Sequence, residues 1–175
     1  MKAYTTVHTR LRVKSDIDEM LRIERASFSI PWTKSDFEDT LQTVNAVTFV
    51  AENDNQIIGY VVAEVYAEYI SLINVAVAPE YRRFGVATQL IHRLTEKLTN
   101  TRTRIVAGVR ETNLIGQQFL RALEFRAVKV MKNYYDQVHE DCYIMEYRSD
   151  WSPDGIDVLR SIMSGDERVV RATSL

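Results

Sequence analysis

The segment Ile73-Asn74-Val75-Ala76-Val77-Ala78-Pro79-Glu80-Tyr81-Arg82-Arg83-Phe84-Gly85-Val86-Ala87 constrains the fold most. An apolar strand runs into a proline, a basic pair follows, and a small-residue turn opens a long helix. Ala87, Leu90, Ile91, Leu94 and Leu98 form one apolar stripe along it. Such a turn aims free backbone N–H groups and the positive end of the helix at one point, which suits an anion. With Arg82 and Arg83 beside it, the point suits a pyrophosphate better than a carboxylate. The spacing Arg82-x-x-Gly85-x-Ala87 fits the pattern Q/R-x-x-G-x-G/A. The hexapeptide alone also admits a plainer reading, in which Gly85 eases the helix start and the arginines are solvated. Neither G-x-x-x-x-G-K-[S/T] nor G-x-G-x-x-G occurs in the chain, so the common nucleotide loops are missing.

The flanking sequence reads as alternating strands and helices. Thr9 to Val13 is a first strand, and Ser15 with Asp18 is a capping box for a helix to about Ser27. Ile17, Met20, Leu21 and Phe28 supply its apolar face. After Pro31, Thr33 caps a short helix that turns Phe37 and Leu41 inward. Ala46 to Glu52 and Gln56 to Tyr66 are strands joined by Asn53-Asp54-Asn55, whose residue types tolerate the left-handed turn positions. Tyr69 to Ala78 is the strand before the anion turn, and the helix that follows runs from about Gly85 to Leu98. Thr103 to Arg110 is again a strand and Asn113 to Leu123 a helix. Phe125 to Tyr135 and Cys142 to Arg148 form a closing hairpin. The order β-αα-ββ-β-α-β-α-β-β implies an α/β domain, a mixed sheet with helices on its faces. The expected division is a domain over 1–150 and a tail over 151–175, the tail holding a short amphipathic helix (Ile156, Leu159, Ile162, Met163) after the turn Ser152-Pro153-Asp154-Gly155.

Composition narrows the class. A chain of 175 residues is long enough to bury a substantial core. Its net charge of −2 argues against a non-specific nucleic-acid binder. Cys142 is the single cysteine, so no internal disulfide forms, and its neighbours Tyr143 and Ile144 make it a core strand residue. The N-terminus lacks a signal-peptide apolar region, and no apolar run approaches the roughly 18 residues of a membrane span. The cytoplasm is the default location, with no membrane or nucleic-acid partner expected. His8 and His92 are isolated, and no metal site is readable.

With these pieces in order, residues 9–148 resemble the GCN5-related N-acetyltransferases (GNAT). The closest likeness is to the RimI-type ribosomal-protein alanine N-acetyltransferases and their protein N-terminal acetyltransferase relatives. Beyond the Arg82–Ala87 motif, Ile23-Glu24-Arg25-Ala26-Ser27-Phe28-Ser29-Ile30-Pro31-Trp32 is similar to the family's helix-to-loop passage ending in Pro-Trp. Asn113 with Leu123-Glu124-Phe125 is similar to N-x-x-A…L-G-F, and Asn133-Tyr134-Tyr135 with Glu140-Asp141 to R-N-Y-Y…E-D. The resemblance implies the GNAT fold, a central, mostly antiparallel mixed sheet with helices on both faces, and acetyl-CoA as cosubstrate. It implies that backbone groups of Val75, Ala76 and Val77 pair with the pantetheine arm, although both valines also read as plain core. It further implies that Arg82 and the N–H groups of Arg83, Phe84, Gly85, Val86, Ala87 and Thr88 hold the pyrophosphate, and that Asn113 contacts the coenzyme farther along.

The implied activity is acetyl transfer to the α-amine of a protein or peptide N-terminus. A small-molecule amine acceptor and a non-catalytic acetyl-CoA-binding module are the alternatives. The chain departs from the family at two positions: the glutamate base falls on Gly108 and the tyrosine acid on Leu120. An α-amine with a pKa of about 7.7–8.0 is already roughly 10–15% neutral at pH 7, whereas a lysine at about 10.4 is not, so an N-terminal acceptor needs a base least. Glu68, acting through water, and Tyr135 are the candidate catalytic replacements; the plainer readings are an exposed strand-end carboxylate and hairpin packing. Trp32, Tyr134 and Tyr135 are the candidate acceptor-binding residues, with core anchoring the other reading for Trp32. His139 and Glu111 read as loop and surface residues.

Overall fold

The computed structural model describes residues 7–135 and 139–150. The expected tail helix and the turn before it lie outside those residues. Seven strands follow the order β1-β2-β3-β4-β5-β7-β6: β1 (His8–Leu11), β2 (Ala46–Asn53), β3 (Gln56–Val65), β4 (Tyr69–Val77), β5 (Arg104–Arg110), β6 (Arg126–Tyr135) and β7 (Glu140–Arg148). Among the described residues four α-helices accompany them: α1 (Ile17–Ser27), α2 (Lys34–Leu41), α3 (Val86–Thr95) and α4 (Leu114–Ala122). The order is the one expected, and the sheet is mixed and mostly antiparallel, with β4 and β5 its parallel pair. Parallel neighbours need a long crossover, which residues 78–103 with α3 provide.

The described residues form two compact units, one running up to Glu64 and including Asn74–Glu96, the other comprising Val65–Ile73 and the residues from Lys97 on. In the first, β1, β2 and β3 make an antiparallel meander. Asp54 and Asn55 take φ of 49° and 65° in the β2–β3 turn, where Asn53 pairs with Gln56. This is the left-handed hairpin turn their residue types favour. Thr33 caps α2: its hydroxyl accepts the Asp36 N–H, and the Asp36 carboxylate accepts the Thr33 N–H at 2.7 Å. The core includes Met20, Ile23, Phe37, Phe49, Leu90 and Leu94.

The start of α1 differs from the expected Ser15–Asp18 box. A 3-10 turn over Lys14–Asp16 precedes it, and the Asp16 carboxylate accepts the Val13 N–H at 2.8 Å. The Arg10 guanidinium explains the change, since it grips both Asp16 oxygens at 2.7 and 3.0 Å and draws that carboxylate inward. Helix α3 stops at Thr95, so Leu98 falls beyond it.

In the second unit the first half of β4 pairs with β5 from Tyr69↔Arg104 to Leu72↔Ala107, and β7 bridges β5 and β6. Ile105, Val109, Leu120, Phe125 and Met145 are buried. Among the described residues no helix is long and apolar enough to cross a membrane.

Candidate active site

The proline that ends the apolar run opens a 3-10 turn, Pro79–Tyr81, in which the Tyr81 N–H reaches the Ala78 carbonyl at 2.8 Å. Arg83 (φ 67°) and Gly85 (φ 77°) then take left-handed conformations that swing the chain into α3. The first α3 bond joins the Gln89 N–H to the Gly85 carbonyl at 3.0 Å. The N–H groups of Val86, Ala87 and Thr88 therefore lie ahead of the helical ladder, at its positive end. Arg82, Arg83, Phe84, Gly85 and Thr88 are exposed, while Val86 is buried. A Cβ on Gly85 would meet no atom within 4 Å, so only its φ demands glycine.

The Arg82 side chain is turned back into the protein. Its Nε donates to the Val77 carbonyl and its Nη2 to Ser27 Oγ, both at 3.0 Å. It thereby ties the end of β4 to the end of α1. Val75, Ala76 and Val77 are buried at the C-terminal end of β4, which continues five residues past its last pair with β5.

A polar cluster missed in the sequence lies inside this unit. Glu24 is fully buried on α1; its Oε1 accepts the Trp32 N–H at 2.8 Å, and its Oε2 accepts the Tyr60 hydroxyl and, at 3.2 Å, Asn74 Nδ2. Burial pushes the Glu24 carboxyl above the usual range, against these three hydrogen bonds. Burial and the neighbouring carboxylate push the Tyr60 phenol up as well. Trp32 is half-buried, its ring edge-on to Phe37 at 5.0 Å, and Phe37 meets Tyr60 at 5.5 Å. The signal was present: Glu24 stands four residues after Met20 and four before Phe28, on the apolar stripe of α1.

The second unit holds the remaining candidates. Asn113 caps α4, its Oδ1 accepting the Gly116 N–H at 2.8 Å. Gly108 is buried opposite Ile144, and Leu120 is fully buried. Glu68 is exposed in the bend just before Tyr69, at the other end of β4 from Val75–Val77. Tyr135 is buried with Tyr69, Val106, Cys142 and Ile144, and its hydroxyl points to Cys142 Sγ at 3.9 Å. Burial, with Cys142 adding to it, pushes this phenol above its ordinary range. The hydroxyl is thus engaged inside the packed cluster, facing Cys142.

Tyr134 is half-buried and edge-on to Tyr135 at 5.1 Å. The Arg110 guanidinium lies 3.8 Å over the Tyr135 ring and pairs with Glu140 at 2.9 Å. Glu140 also accepts the Thr112 N–H at 3.0 Å and the Thr112 hydroxyl. Asp141 accepts Lys132 Nζ at 2.5 Å and the N–H of Asn133, which has φ 50°. The Glu-Asp pair thus braces the β6–β7 hairpin that carries both tyrosines. His139 is exposed in the turn of that hairpin. Among the described residues no group of His, Cys, Asp and Glu is arranged to hold a metal ion.

In the first unit the end of β4, two left-handed residues and a glycine-capped helix form a passage suited to an anion. The family model described as Acetyltransferase (GNAT) matches residues 17–125, and the chain belongs to that family. An N-alpha-acetyltransferase of Sulfolobus acidocaldarius is 27% identical over 78% of this chain and 89% of its own length. A Bacillus subtilis protein, provisionally named a ribosomal-protein bS18 alanine N-acetyltransferase, is 32% identical over 74% of this chain and 87% of its own. The crystal structure of the Escherichia coli ribosomal-protein-S18-alanine N-acetyltransferase superposes with a TM-score of 0.74 at 21% identity, covering 84% of this chain and 96% of that one.

Proposed function

We propose that this protein transfers the acetyl group of acetyl-CoA to the α-amine of a protein or peptide N-terminus. The observation that carries the reading is the passage from β4 through left-handed Arg83 and Gly85 into α3, which leaves three helix N–H groups at one positive point. Relatives named for N-terminal acetylation support the acceptor class. When bound, acetyl-CoA supplies a thioester carbonyl that a neutral amine attacks, a C–N bond forming as the C–S bond breaks and the thiolate leaves.

The chain's own residues fit that task in stated roles. The N–H groups of Val86, Ala87 and Thr88, with those of Arg83, Phe84 and Gly85 ahead of them, hold the pyrophosphate; Arg82 shapes the turn rather than reaching outward. The Val75–Val77 backbone takes the pantetheine arm as an added strand. Trp32 in the first unit and Tyr134 in the second are each candidate acceptor-binding residues, and Asn113 holds the α4 turn in place. With Gly108 and Leu120 at the family's base and acid positions, no side chain is assigned to proton transfer. The α-amine enters neutral, and its proton leaves to solvent after attack. Positioning then carries the rate enhancement.

The test is mass-spectrometric detection of acetyl transfer to a panel of N-terminal peptides from pH 6 to 9, with N-terminally blocked lysine peptides as control. Product on free α-amines alone, with a rate following the amine's own ionisation, is expected. Acetylation of the blocked lysine peptides at a similar rate would overturn the acceptor assignment.

A further inference from the structure

The segment between α1 and α2 carries Pro31-Trp32, and among the described residues no strand pairs with it. Pro31 has no N–H, so the Trp32 N–H is the first donor after it. That donor goes to a wholly buried carboxyl, Glu24 Oε1, at 2.8 Å. The same carboxyl meets Tyr60 on β3 and Asn74 on β4. Each of these three partners can present a hydrogen, which suits an ionised carboxylate, while burial opposes that ionisation. Asn74 is fully buried, and turning its Nδ2 toward Glu24 leaves its Oδ1 without a partner among the described residues. An amide accepts that loss only for a strong acceptor on its other side.

We infer that Glu24 is the positioning residue of the acceptor-side loop: its carboxylate fixes the backbone at Trp32 against β3 and against Asn74, the residue before Val75. Arg82 supplies the second tie, joining Ser27 at the start of the same loop to the Val77 carbonyl. The loop is thus fastened at both ends to the stretch of β4 proposed to hold the thioester arm. Its geometry there governs how an incoming N-terminus meets that arm. This inference rests on the acetyl-transfer reading for its consequence, but not for the placement of the loop.

The experiment uses the full chain with Trp151→Phe, which leaves Trp32 as the single tryptophan. Glu24→Met is compared with Glu24→Gln for peptide KM and kcat, for acetyl-CoA affinity, and for acrylamide quenching of Trp32. Glu24→Met is expected to raise peptide KM about tenfold and to increase quenching, while acetyl-CoA affinity stays within about twofold. Glu24→Gln restores both values to within about threefold, because its amide still accepts the Trp32 N–H and can donate to Asn74 Oδ1 once that amide turns.

Unchanged KM and quenching in a folded Glu24→Met protein overturn the proposal. So does an equal loss of peptide and acetyl-CoA affinity, which marks a merely structural role. If Glu24→Met fails to fold, Glu24→Gln decides: a raised KM with unaltered Trp32 quenching refutes positioning through the loop. If the parent acetylates no peptide, the quenching and acetyl-CoA arms still judge Glu24, and only the acceptor assignment falls.

Discussion

Replacing Gly59 on β3 with alanine tests how the anion turn is held. A Cβ there would sit 3.0 Å from the Ala76 carbonyl oxygen, 3.2 Å from Val86 Cγ1 and 3.3 Å from Leu90 Cδ1. Comfortable contact between carbons needs about 3.5–4.0 Å, so the Val86 and Leu90 carbons are too near, and the carbonyl oxygen at 3.0 Å is tighter than nearly all real Cβ contacts. The carbonyl belongs to strand backbone and has little room to move. Val86 and Leu90 are buried at 2% and 0% exposure, so relief requires α3 to shift by a few tenths of an ångström. Overpacking of this kind costs roughly 1–3 kcal/mol. Stiffening the unfolded chain returns about 0.4–1 kcal/mol. The net loss is about 0–2.6 kcal/mol with its centre near 1.3 kcal/mol, a fall in Tm of roughly 3–5 °C at that centre for a chain of this size.

Because Val86 is the first residue of α3, acetyl-CoA affinity falls as well, several-fold by titration. Urea unfolding of Gly59→Ala, Val86→Ala and the double variant measures the coupling directly. Removing the Val86 methyls should recover about 0.5 kcal/mol or more of the loss. A Gly59→Ala protein as stable as the parent, or a strictly additive double variant, refutes the reasoning.

Gly85→Ala contrasts with it, since no atom lies within 4 Å of the new Cβ. Holding alanine at φ 77° costs about 1–2 kcal/mol of stability, read by urea unfolding, and a larger share of acetyl-CoA affinity is lost where the ligand approaches that backbone. Acid stability separates two glutamates. Burial opposes ionisation of Glu140, but hydrogen bonds from Thr112 and Arg110 outweigh it and hold its carboxyl below 4.5. Its stabilisation is full above pH 4.5 and lost as pH falls through the folded value, so Glu140→Gln flattens the acid limb of the urea midpoint between pH 3 and 6. Glu24 has the opposite sign: burial raises its carboxyl above 4.5, so stability declines as pH climbs from 4.5 through the folded value, and Glu24→Gln removes that decline.

Much of this architecture was legible because it rests on local chemistry. Asp54 and Asn55 tolerate positive φ, Thr33 and Asp36 cap reciprocally, and Pro79 ends β4 wherever that strand lies. The Arg82–Ala87 spacing likewise announces a turn between strand and helix, since the need at Gly85 is a backbone angle and involves no neighbour. The resemblance to GNAT proteins drew on that spacing together with the segments ending in Pro31-Trp32, at Asn113 and at Asn133-Tyr134-Tyr135.

The choice of partner for each polar side chain was not local. Asp16, and not Ser15, meets the backbone ahead of α1, because Arg10 on β1 is folded beside it. Arg82 was read as a ligand for phosphate, yet its guanidinium is used on Ser27, 55 residues away, and on Val77. Tyr135 meets Cys142 because a register shift between Met131 and Tyr135 sets Tyr135 opposite Glu140, two residues before Cys142, and its hydroxyl falls into a packed cluster. Periodicity puts Glu24 on the buried face of α1, but only the packing of Trp32, Tyr60 and Asn74 around it supplies the donors that a buried carboxylate requires. Sequence determined where the chain turns and which faces are apolar, since those follow from backbone angles and periodicity. Tertiary structure decided which charges meet, since a hydrogen bond depends on distances that residues far apart in the chain acquire only on folding.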